Sequence, residues 1–475
     1  MTAISTSLTI FLTIFIWQAI AGCAKVGPDH LSPESSAPAA WNAPLNQGLD
    51  IGPADLQVMA EWWTLLNDPL LNSFIHRAIA GNLDLEQARA RLLQARASRD
   101  IGTAGLYPNL NAGGSVSRGR SSSDRGGTES TNYSTGFDAG WELDFFGGRR
   151  RSIEAAQARF EASREDLRDV LVSLLAEVAL NYIEVRTFQS RLQIAHDNLA
   201  AQQETFELAE TLYQSGLTDE LAVQQARYLV TGTRAEIPTL RTGLSTASNL
   251  LAVLLGLPPG SLNDQLRNLV PLRELPLSVA VGIPAETLQR RPDIRRAERL
   301  LAAQTAEIGV AIAELSPSFS FSGSIGLDAL SAGKLFSSGS GSYSFGPSFS
   351  WTLFDAGAIE ANIQFQSALQ QEVLAGYKAT VLTALEEVEG ALISYAQEQE
   401  RYQALNESVD AAAQASELAE IQYQAGLINF TEVLDGRRSL LSFQDQLAQS
   451  AGTMTGNLIR LYKALGGGWT SFVQE

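Results

Sequence analysis

Four short stretches of the chain alternate between apolar and polar residues. Their apolar positions begin at Leu110, Phe137, Phe319 and Tyr343. A period of two predicts β-strands with one apolar and one polar face. About ten residues at ~3.3 Å each, tilted by ~45°, span roughly 23 Å, the height of the apolar band of an outer-membrane barrel. The alternative is a soluble β-sandwich, which would need more strands to build a core.

A seven-residue apolar repeat follows each pair of strands. It runs through Ile153, Phe160 and Leu167 in the first half of the chain and through Val381 and Val388 in the second. A sustained period of 3.5 residues predicts long helices that pack knobs-into-holes. A helix of about 66 residues at ~1.5 Å each is roughly 100 Å long. A two-chain coiled-coil stalk is the alternative, but it does not explain why strands interrupt the helices twice.

The two halves of the chain are copies of one pattern. Leu208–Leu217 matches Leu418–Leu427 at seven of ten positions. Further landmarks recur at offsets of 209 or 210 residues, namely Asp84 and Asp293, Leu106 and Leu315, and Trp141 and Trp351. Landmarks repeated in one order indicate an internal duplication. Each copy is expected to contain a helix, two strands, a long helix, a glycine turn and a final helix.

The small number of strands predicts an oligomer. The smallest membrane barrels have about eight strands, and lipid does not tolerate open sheet edges. Several chains are therefore expected to share one barrel. The predicted fold is mixed and mainly α: long antiparallel coiled-coil helices form an α-barrel, and four β-strands per chain contribute to a shared transmembrane β-barrel.

The same patterns predict an order of segments along the chain. We expect a lipoprotein signal peptide at 1–22, a lipidated extended tether at 23–69, repeat 1 at 70–256, a linker at 257–284, repeat 2 at 285–466 and a tail at 467–475. Repeat 1 is expected to contain a helix over 70–104, strands at about 108–119 and 133–144, a long helix at 149–215 and a helix at 219–256. Repeat 2 is expected to contain a first helix, strands at about 317–328 and 343–354, a long helix at 359–425 and a helix at 429–465.

The N-terminus carries an export signal. Leu8–Ile16 is a short apolar core, and Ile20–Cys23 resembles a bacterial lipobox. In that motif the cysteine receives a diacylglycerol and becomes the mature N-terminus, so Cys23 is the predicted lipidation site. A chance cleavage site with an idle thiol is the alternative. Ala24 follows Cys23, which favours the outer membrane, and Met1–Ser7 has no Lys or Arg, which leaves the true start of translation open.

Composition narrows the possible functions. The chain has 34 Lys and Arg against 52 Asp and Glu, a formal charge of −18, so nucleic acid is not an expected partner. Three histidines and one cysteine exclude a thiolate zinc site and an internal disulfide, and we expect no metal and no cofactor. A nucleophile elbow, a Walker loop and a zinc-protease motif are all missing from the sequence. We therefore do not expect an enzyme, and no catalytic residue is assigned.

Five segments of the sequence carry a family resemblance. They are Cys23–Asp29, Arg290–Glu298, Tyr423–Leu427, Val433–Leu440 and Leu461–Trp469. In these segments the chain resembles a TolC/OprM-type outer membrane factor of the NodT-like lipoprotein branch, which serves RND efflux systems. The resemblance covers essentially the whole mature chain. It implies a homotrimer, in which four strands per chain give a twelve-stranded barrel and the helices continue it as a tunnel.

The resemblance also implies a function and a location. Such a protein is the outer membrane channel of a tripartite efflux pump. It is a passive conduit for substrates delivered by an inner-membrane RND antiporter and a periplasmic adaptor protein. It would be lipid-anchored in the outer membrane, in contact with the membrane lipids, and would extend into the periplasm. The alternative is an outer-membrane-anchored stalk or adhesin without a channel. The exported substrate stays open.

Two helix–turn–helix tips are the expected contacts of the adaptor. They contain Tyr213, Gly216 and Leu217 in the first copy and Tyr423, Gly426 and Leu427 in the second. Glycine suits the left-handed backbone that ends a helix. The family pattern implies that these tips close the tunnel and open when the adaptor docks.

The resemblance further implies a periplasmic gate at Asp435, Thr431, Gln422 and Tyr423. Three copies of Asp435 would form a carboxylate ring that attracts cations, whereas the alternative is a solvated aspartate in a turn. Gln422 stands where relatives often have arginine, and Thr431 where a bulky apolar residue often lies. The sequence therefore does not decide whether the gate closes by a charge ring, by a hydrophobic plug or by both.

Three consecutive arginines, Arg149, Arg150 and Arg151, lie where strand should pass into helix. Two interpretations are equally supported. The arginines contact phosphates of the inner leaflet, or they form a cationic first helical turn in water.

Overall fold

The structure is a computed structural model, and it describes residues 25–33, 37–46, 48–50, 52, 56–270, 279–282 and 284–470. Cys23 and the predicted signal peptide lie outside these residues. The chain divides into two compact units. The strand unit comprises the described parts of 1–34, 91–164 and 296–379. The helical unit comprises those of 35–90, 165–295 and 380–475.

The helices repeat in length between the two halves of the chain. They are α1 Leu56–Ala60, α2 Pro69–Gly81, α3 Leu83–Ala104, α4 Gly148–Gln214, α5 Glu220–Leu254, α6 Pro284–Arg290, α7 Pro292–Ala313, α8 Ala358–Gln424 and α9 Phe430–Ala464. Helices α3 and α7 have 22 residues each, α4 and α8 have 67, and α5 and α9 have 35. These equal lengths agree with the predicted internal duplication. No described helix combines the length and the hydropathy that crossing a membrane would require.

The strand unit contains one four-stranded antiparallel sheet with the order β2-β3-β5-β6. Within the described residues the strands are β1 Leu49–Asp50, β2 Asn109–Arg120, β3 Glu129–Leu143, β4 Val279–Ala280, β5 Ser318–Ala329 and β6 Gly341–Ser350. Strand β6 ends before the predicted 354, because its last pair is Ser350 with Ser318, which is the first residue of β5. The observed fold is mainly helical with a few strands, which is the predicted fold class.

The predicted helix over 70–104 is wrong as a single element, because it breaks at Asn82. The Asn82 backbone is extended, with ψ at 129°, so α2 ends at Gly81. The Asn82 side chain accepts a hydrogen bond from the Leu85 N–H at 2.9 Å and donates one to the Leu254 carbonyl at 3.0 Å. It thereby caps the start of α3 and ties the break to the end of α5.

The core of the helical unit collects aromatic side chains from distant parts of the chain. Trp62 and Trp63 are buried, and the Trp62 ring stacks on Tyr462 of α9 with centroids 5.9 Å apart. The Trp41 indole N–H donates to the Gly282 carbonyl at 2.9 Å, and β1 pairs in parallel with β4. The segment before α1 is therefore fastened to the helical unit by its side chains and by its backbone.

Candidate functional site

The turn between α4 and α5 is a Schellman motif. Gly216 has a φ of +72°, a conformation that favours glycine. Its N–H donates to the Tyr213 carbonyl at 3.0 Å, and the Leu217 N–H donates to the Leu212 carbonyl at 2.9 Å. These are the two hydrogen bonds that define the motif. The α4 helix therefore ends here through its own backbone geometry.

The turn between α8 and α9 repeats this geometry. Gly426 has a φ of +73°, its N–H donates to the Tyr423 carbonyl at 2.9 Å, and the Leu427 N–H donates to the Gln422 carbonyl at 2.9 Å. Leu217 and Leu427 are each 74 % exposed. In many Schellman motifs this apolar residue packs back on the helix. Here each turn instead presents an exposed leucine.

The structure brings the two turns together around one apolar cluster. The cluster joins α4, α5 and α9 and contains Ala209, Ala222, Val223, Ala226, Phe430, Val433 and Leu434. The Tyr423 ring lies 5.1 Å from the Phe430 ring, centroid to centroid. The Thr431 hydroxyl donates to the Gln225 side chain of α5 at 3.3 Å. Three of the four predicted gate residues, Gln422, Tyr423 and Thr431, thus lie at this pair of turns.

Asp435 lies one turn further along α9. Its carboxylate is 3.1 Å from Arg438 and its side chain is 58 % exposed. Arg438 also bonds the hydroxyl of Tyr228 on α5. Asp435 is therefore an accessible carboxylate with a cation beside it.

The sequence analysis did not identify Arg437, although this residue lies in Val433–Leu440, one of the segments that carry the family resemblance. Its guanidinium donates to the Ala201 carbonyl of α4 at 2.8 Å, to the Thr205 hydroxyl, and to Glu420 of α8 at 3.1 and 3.2 Å. A single side chain of α9 therefore connects three helices beside the turns.

A second link between α4 and α9 lies further from the turns. Arg191 forms two hydrogen bonds to Asp445, at 2.7 and 3.0 Å, and the Asn198 amide donates to Gln444 at 3.0 Å. The contact between α4 and α5 at this level is apolar and is formed by Ala195, Ile237 and Leu240. At this level, α9 is therefore held to α4 by polar bonds, and α5 is held to α4 by packing.

The two faces of the four-stranded sheet differ in chemistry. Every residue that the register places on one face is Asn, Ser, Gly, Asp or Glu. On this face Asp138 forms one row with Asn111 and Ser324. The other face carries mainly aromatic and aliphatic residues, among which Tyr343 and Phe345 are exposed, and its charged residues, Arg118, Arg120 and Glu129, lie next to the turn between β2 and β3. One face suits water and the other suits an apolar partner.

The three consecutive arginines are each paired with acidic residues. Arg149 bonds Glu142, and the Arg150 Nε atom donates to Asp144 at 3.1 Å. The Arg151 side chain is 1 % exposed and pairs with Asp29 and Glu154. Because Arg151 is buried, neither a lipid phosphate nor bulk water reaches it, and both sequence-based interpretations are wrong for this residue.

No metal site emerges from the part of the chain that the structure describes, because no group of three His, Cys, Asp or Glu side chains could hold an ion there. In the helical unit the candidate residues form two turns and links between helices, and in the strand unit they form a sheet with two different faces.

Comparison with known proteins decides the family. The model of the family described as outer membrane efflux protein matches residues 74–257 and 283–467, which are the two halves of the duplication. The chain belongs to the outer membrane efflux protein family. Nodulation protein T of Rhizobium leguminosarum bv. trifolii is 33 % identical over 463 residues, covering 97 % of this chain and 98 % of that protein. The cation efflux system protein CusC of Escherichia coli is 32 % identical over 461 residues, covering 95 % of this chain and 97 % of CusC.

Solved structures of outer membrane channels share the fold. The outer-membrane channel OprN superposes with a TM-score of 0.87 at 36 % identity and covers 94 % of this chain and 100 % of its own. The Neisseria gonorrhoeae MtrE outer membrane channel, in its open state, gives 0.83 at 28 % identity, covering 95 % of this chain and 100 % of its own. This outer membrane efflux protein is therefore an efflux-pump channel of the outer membrane. The family resemblance is confirmed, and the stalk or adhesin alternative is not supported.

Proposed function

We propose that three copies of this chain close into one passive conduit. The observation that carries the proposal is the open sheet, whose outer strands β2 and β6 each have one edge unpaired within the described residues. Open edges invite pairing with another chain. Pairing β6 of one copy with β2 of the next would satisfy both edges and close the shared barrel. The number three comes from the family resemblance.

The chemistry of the two sheet faces supports this closure. The apolar face would meet lipid, and the polar face would line water. The Asp and Glu partners of Arg149–Arg151 would leave no uncompensated cation at the start of α4. The conduit performs no chemistry of its own, binds no cofactor and no nucleic acid, and takes its driving force from an inner-membrane RND antiporter.

Oligomeric state and conductance test the conduit together. Native mass spectrometry of the purified full chain should give a trimer, and planar bilayers should show discrete conductance steps. A monomer without conductance would contradict the proposal. A trimer without conductance would instead favour the stalk.

The two turns form the proposed contact with a periplasmic adaptor. The exposed Leu217 and Leu427, beside Tyr213, Tyr423 and the two turn glycines, present matched apolar points that the single chain leaves uncovered. Leu217→Glu together with Leu427→Glu should abolish co-purification of the adaptor and remove efflux in cells. Leu31→Glu, another exposed leucine, is the control and should preserve both. Unchanged adaptor binding in the double variant would exclude the turns.

Asp435, Thr431, Gln422 and Tyr423 form the proposed gate. Asp435→Ala should weaken cation preference and raise the open probability in planar bilayers, because it removes a carboxylate and its ion pair with Arg438. Glu432→Ala removes an equal charge from the same turn of α9 and is the control. Unchanged conductance and ion preference in Asp435→Ala would remove this residue from the gate.

Lipidation of Cys23 fastens the proposed channel to the outer membrane. Labelled palmitate should be incorporated into the natural chain but not into Cys23→Ser. Label in both proteins would refute the lipobox. The partner pump is identifiable from the neighbouring genes, where an RND antiporter and an adaptor should lie in the same operon.

A further inference from the structure

The segment that follows Cys23 occupies a built site on the strand unit. Lys25–Asp29 lies over the first turns of α4, and the Val26 N–H donates to the Phe146 carbonyl at 3.3 Å. The Arg151 guanidinium donates to the Val26 and Gly27 carbonyls, both at 2.9 Å. The site therefore binds the backbone of the segment at three points.

Charged side chains hold both ends of the same five residues. The Lys25 Nζ atom lies 2.6 Å from Glu154, and the Asp29 carboxylate lies 2.9 Å from Arg151. Arg151 and Glu154 are themselves 3.0 Å apart. An acidic and a basic residue of α4 thus meet a basic and an acidic residue of the segment. Because the segment covers Arg151, undocking it would remove three of the partners of a buried cation.

Glycines provide the shape of the site. A Cβ atom on Gly27 would lie 2.5 Å from the Gly309 Cα atom of α7, and Gly27 has a φ of +87°. A Cβ atom on Gly309 would lie 2.9 Å from the Arg151 side chain. Backbone therefore touches backbone at this point, and neither position has room for a side chain. Shape and charge are independent observations, and both select the same segment.

We propose that Arg151, Glu154 and Gly309 form a docking site for the mature N-terminal segment Lys25–Asp29. The site fixes the point at which the acyl-bearing residue leaves the channel wall. The lipid would then be attached rigidly to α4 and α7. A flexible, undocked segment would instead let the channel move relative to its lipid anchor. This inference rests on the proposed lipidation of Cys23, and its test separates the two.

Limited trypsin digestion of the palmitate-labelled full chain in detergent tests the docking. Trypsin cleaves after Lys25 only when the segment is undocked, and cleavage there removes Cys23 with its label. The natural chain should retain the label. Gly27→Ala changes only the segment, so the body stays folded, and it should lose the label about tenfold faster, because cleavage follows the undocked population. Arg151→Met should behave similarly.

Two controls define the cleavage. Arg150→Met removes the neighbouring arginine, which bonds Asp144, and should retain the label like the natural chain. Lys25→Gln added to Gly27→Ala removes the cleavage site and should restore retention. Equal loss of label from the natural chain and from Gly27→Ala would overturn the docking site. No incorporation of label into the natural chain would instead contradict lipidation, and mass analysis of the N-terminal peptide would still measure cleavage at Lys25.

Discussion

Gly452 of α9 lies so close to Thr187 of α4 that a Cβ atom on Gly452 would be 2.0 Å from the Thr187 hydroxyl oxygen. On α5, Gly243 has a similar relationship to the next residue of α4, since a Cβ atom on Gly243 would be 2.4 Å from the Phe188 ring. Two adjacent side chains of α4 thus pack directly against glycines of two different helices. This is where α5 and α9 approach α4 most closely among the glycine positions of the described helices.

Gly452→Ala should destabilise the protein. The added methyl group has no room, and overpacking of this kind costs about 1–3 kcal/mol. Gly232→Ala is the matched control, because it also lies inside a helix but has open space around its Cβ position. It should stabilise the chain by about 0.5–1 kcal/mol through helix propensity. Denaturant unfolding measures the stability of both variants. Equal stability would contradict the close contact between Gly452 and Thr187.

The Arg191–Asp445 pair should couple α4 to α9. Both side chains are mostly buried, at 19 % and 23 % exposure, and the bond is bidentate. A double-mutant cycle with Arg191→Met and Asp445→Asn should give a coupling of about 1 kcal/mol. Each single variant should also raise the open probability in planar bilayers, because one link of α9 to α4 is lost. A coupling near zero would show that the pair does not hold the helices together.

Asp138 should contribute to ion preference if the sheet closes with its polar face inward. Asp138→Asn should shift the reversal potential in a KCl gradient towards lower cation preference. Glu129→Gln removes the same charge from β3 on the opposite face, where Glu129 pairs with Arg118 at 2.9 Å. This control should leave the potential unchanged. A shift in the control alone would reverse the assignment of inner and outer faces.

Glu298 should make stability sensitive to acid. Burial by itself would raise the pKa of the Glu298 carboxyl, but the hydrogen bond from Ser32 and the charge of Arg299 outweigh it, and the pKa is lowered. The unfolded state then binds more protons between the two pKa values, so this stabilisation is present above the unfolded pKa and is lost as the pH falls through the folded pKa. Between about pH 6 and about pH 3, the Tm of Glu298→Gln should fall less than that of the natural chain. Parallel curves would show that Glu298 does not contribute.

Tyr462 should make stability sensitive to alkali. Burial, with a smaller contribution from Tyr395, raises the pKa of the Tyr462 hydroxyl to about 12. The folded state then holds the proton more tightly, so stability is complete below the ordinary tyrosine pKa and falls as the pH rises towards 12. Tyr462→Phe keeps the stack on Trp62 and should flatten this fall. Thermal unfolding at increasing pH measures it, and an equally steep fall in the variant would assign the effect elsewhere.

The sequence by itself determined the elements that depend on local pattern. The period-two stretches, the seven-residue repeat and the duplication predicted the sheet and the long helices, because side-chain periodicity follows directly from backbone geometry. Gly216 and Gly426 were recognisable as helix ends for the same reason, since a left-handed residue at a helix end favours glycine. The break at Asn82 was missed because apolar spacing continues through it, and the bond to Leu254 that supports the break comes from a distant helix.

Tertiary structure decided which charged residues have partners. Arg151 looked like part of an exposed basic run, yet Val26, Gly27 and Asp29 cover it from a segment more than 120 residues earlier in the chain. Arg437 and Arg438 are neighbours in the sequence, yet of these two only Arg437 bonds both Ala201 and Glu420. Whether an arginine is buried depends on chain segments that approach through space, and a linear pattern contains no information about that distance. Local geometry therefore specifies the helices and strands, and packing between them specifies the docking site and the links at the turns.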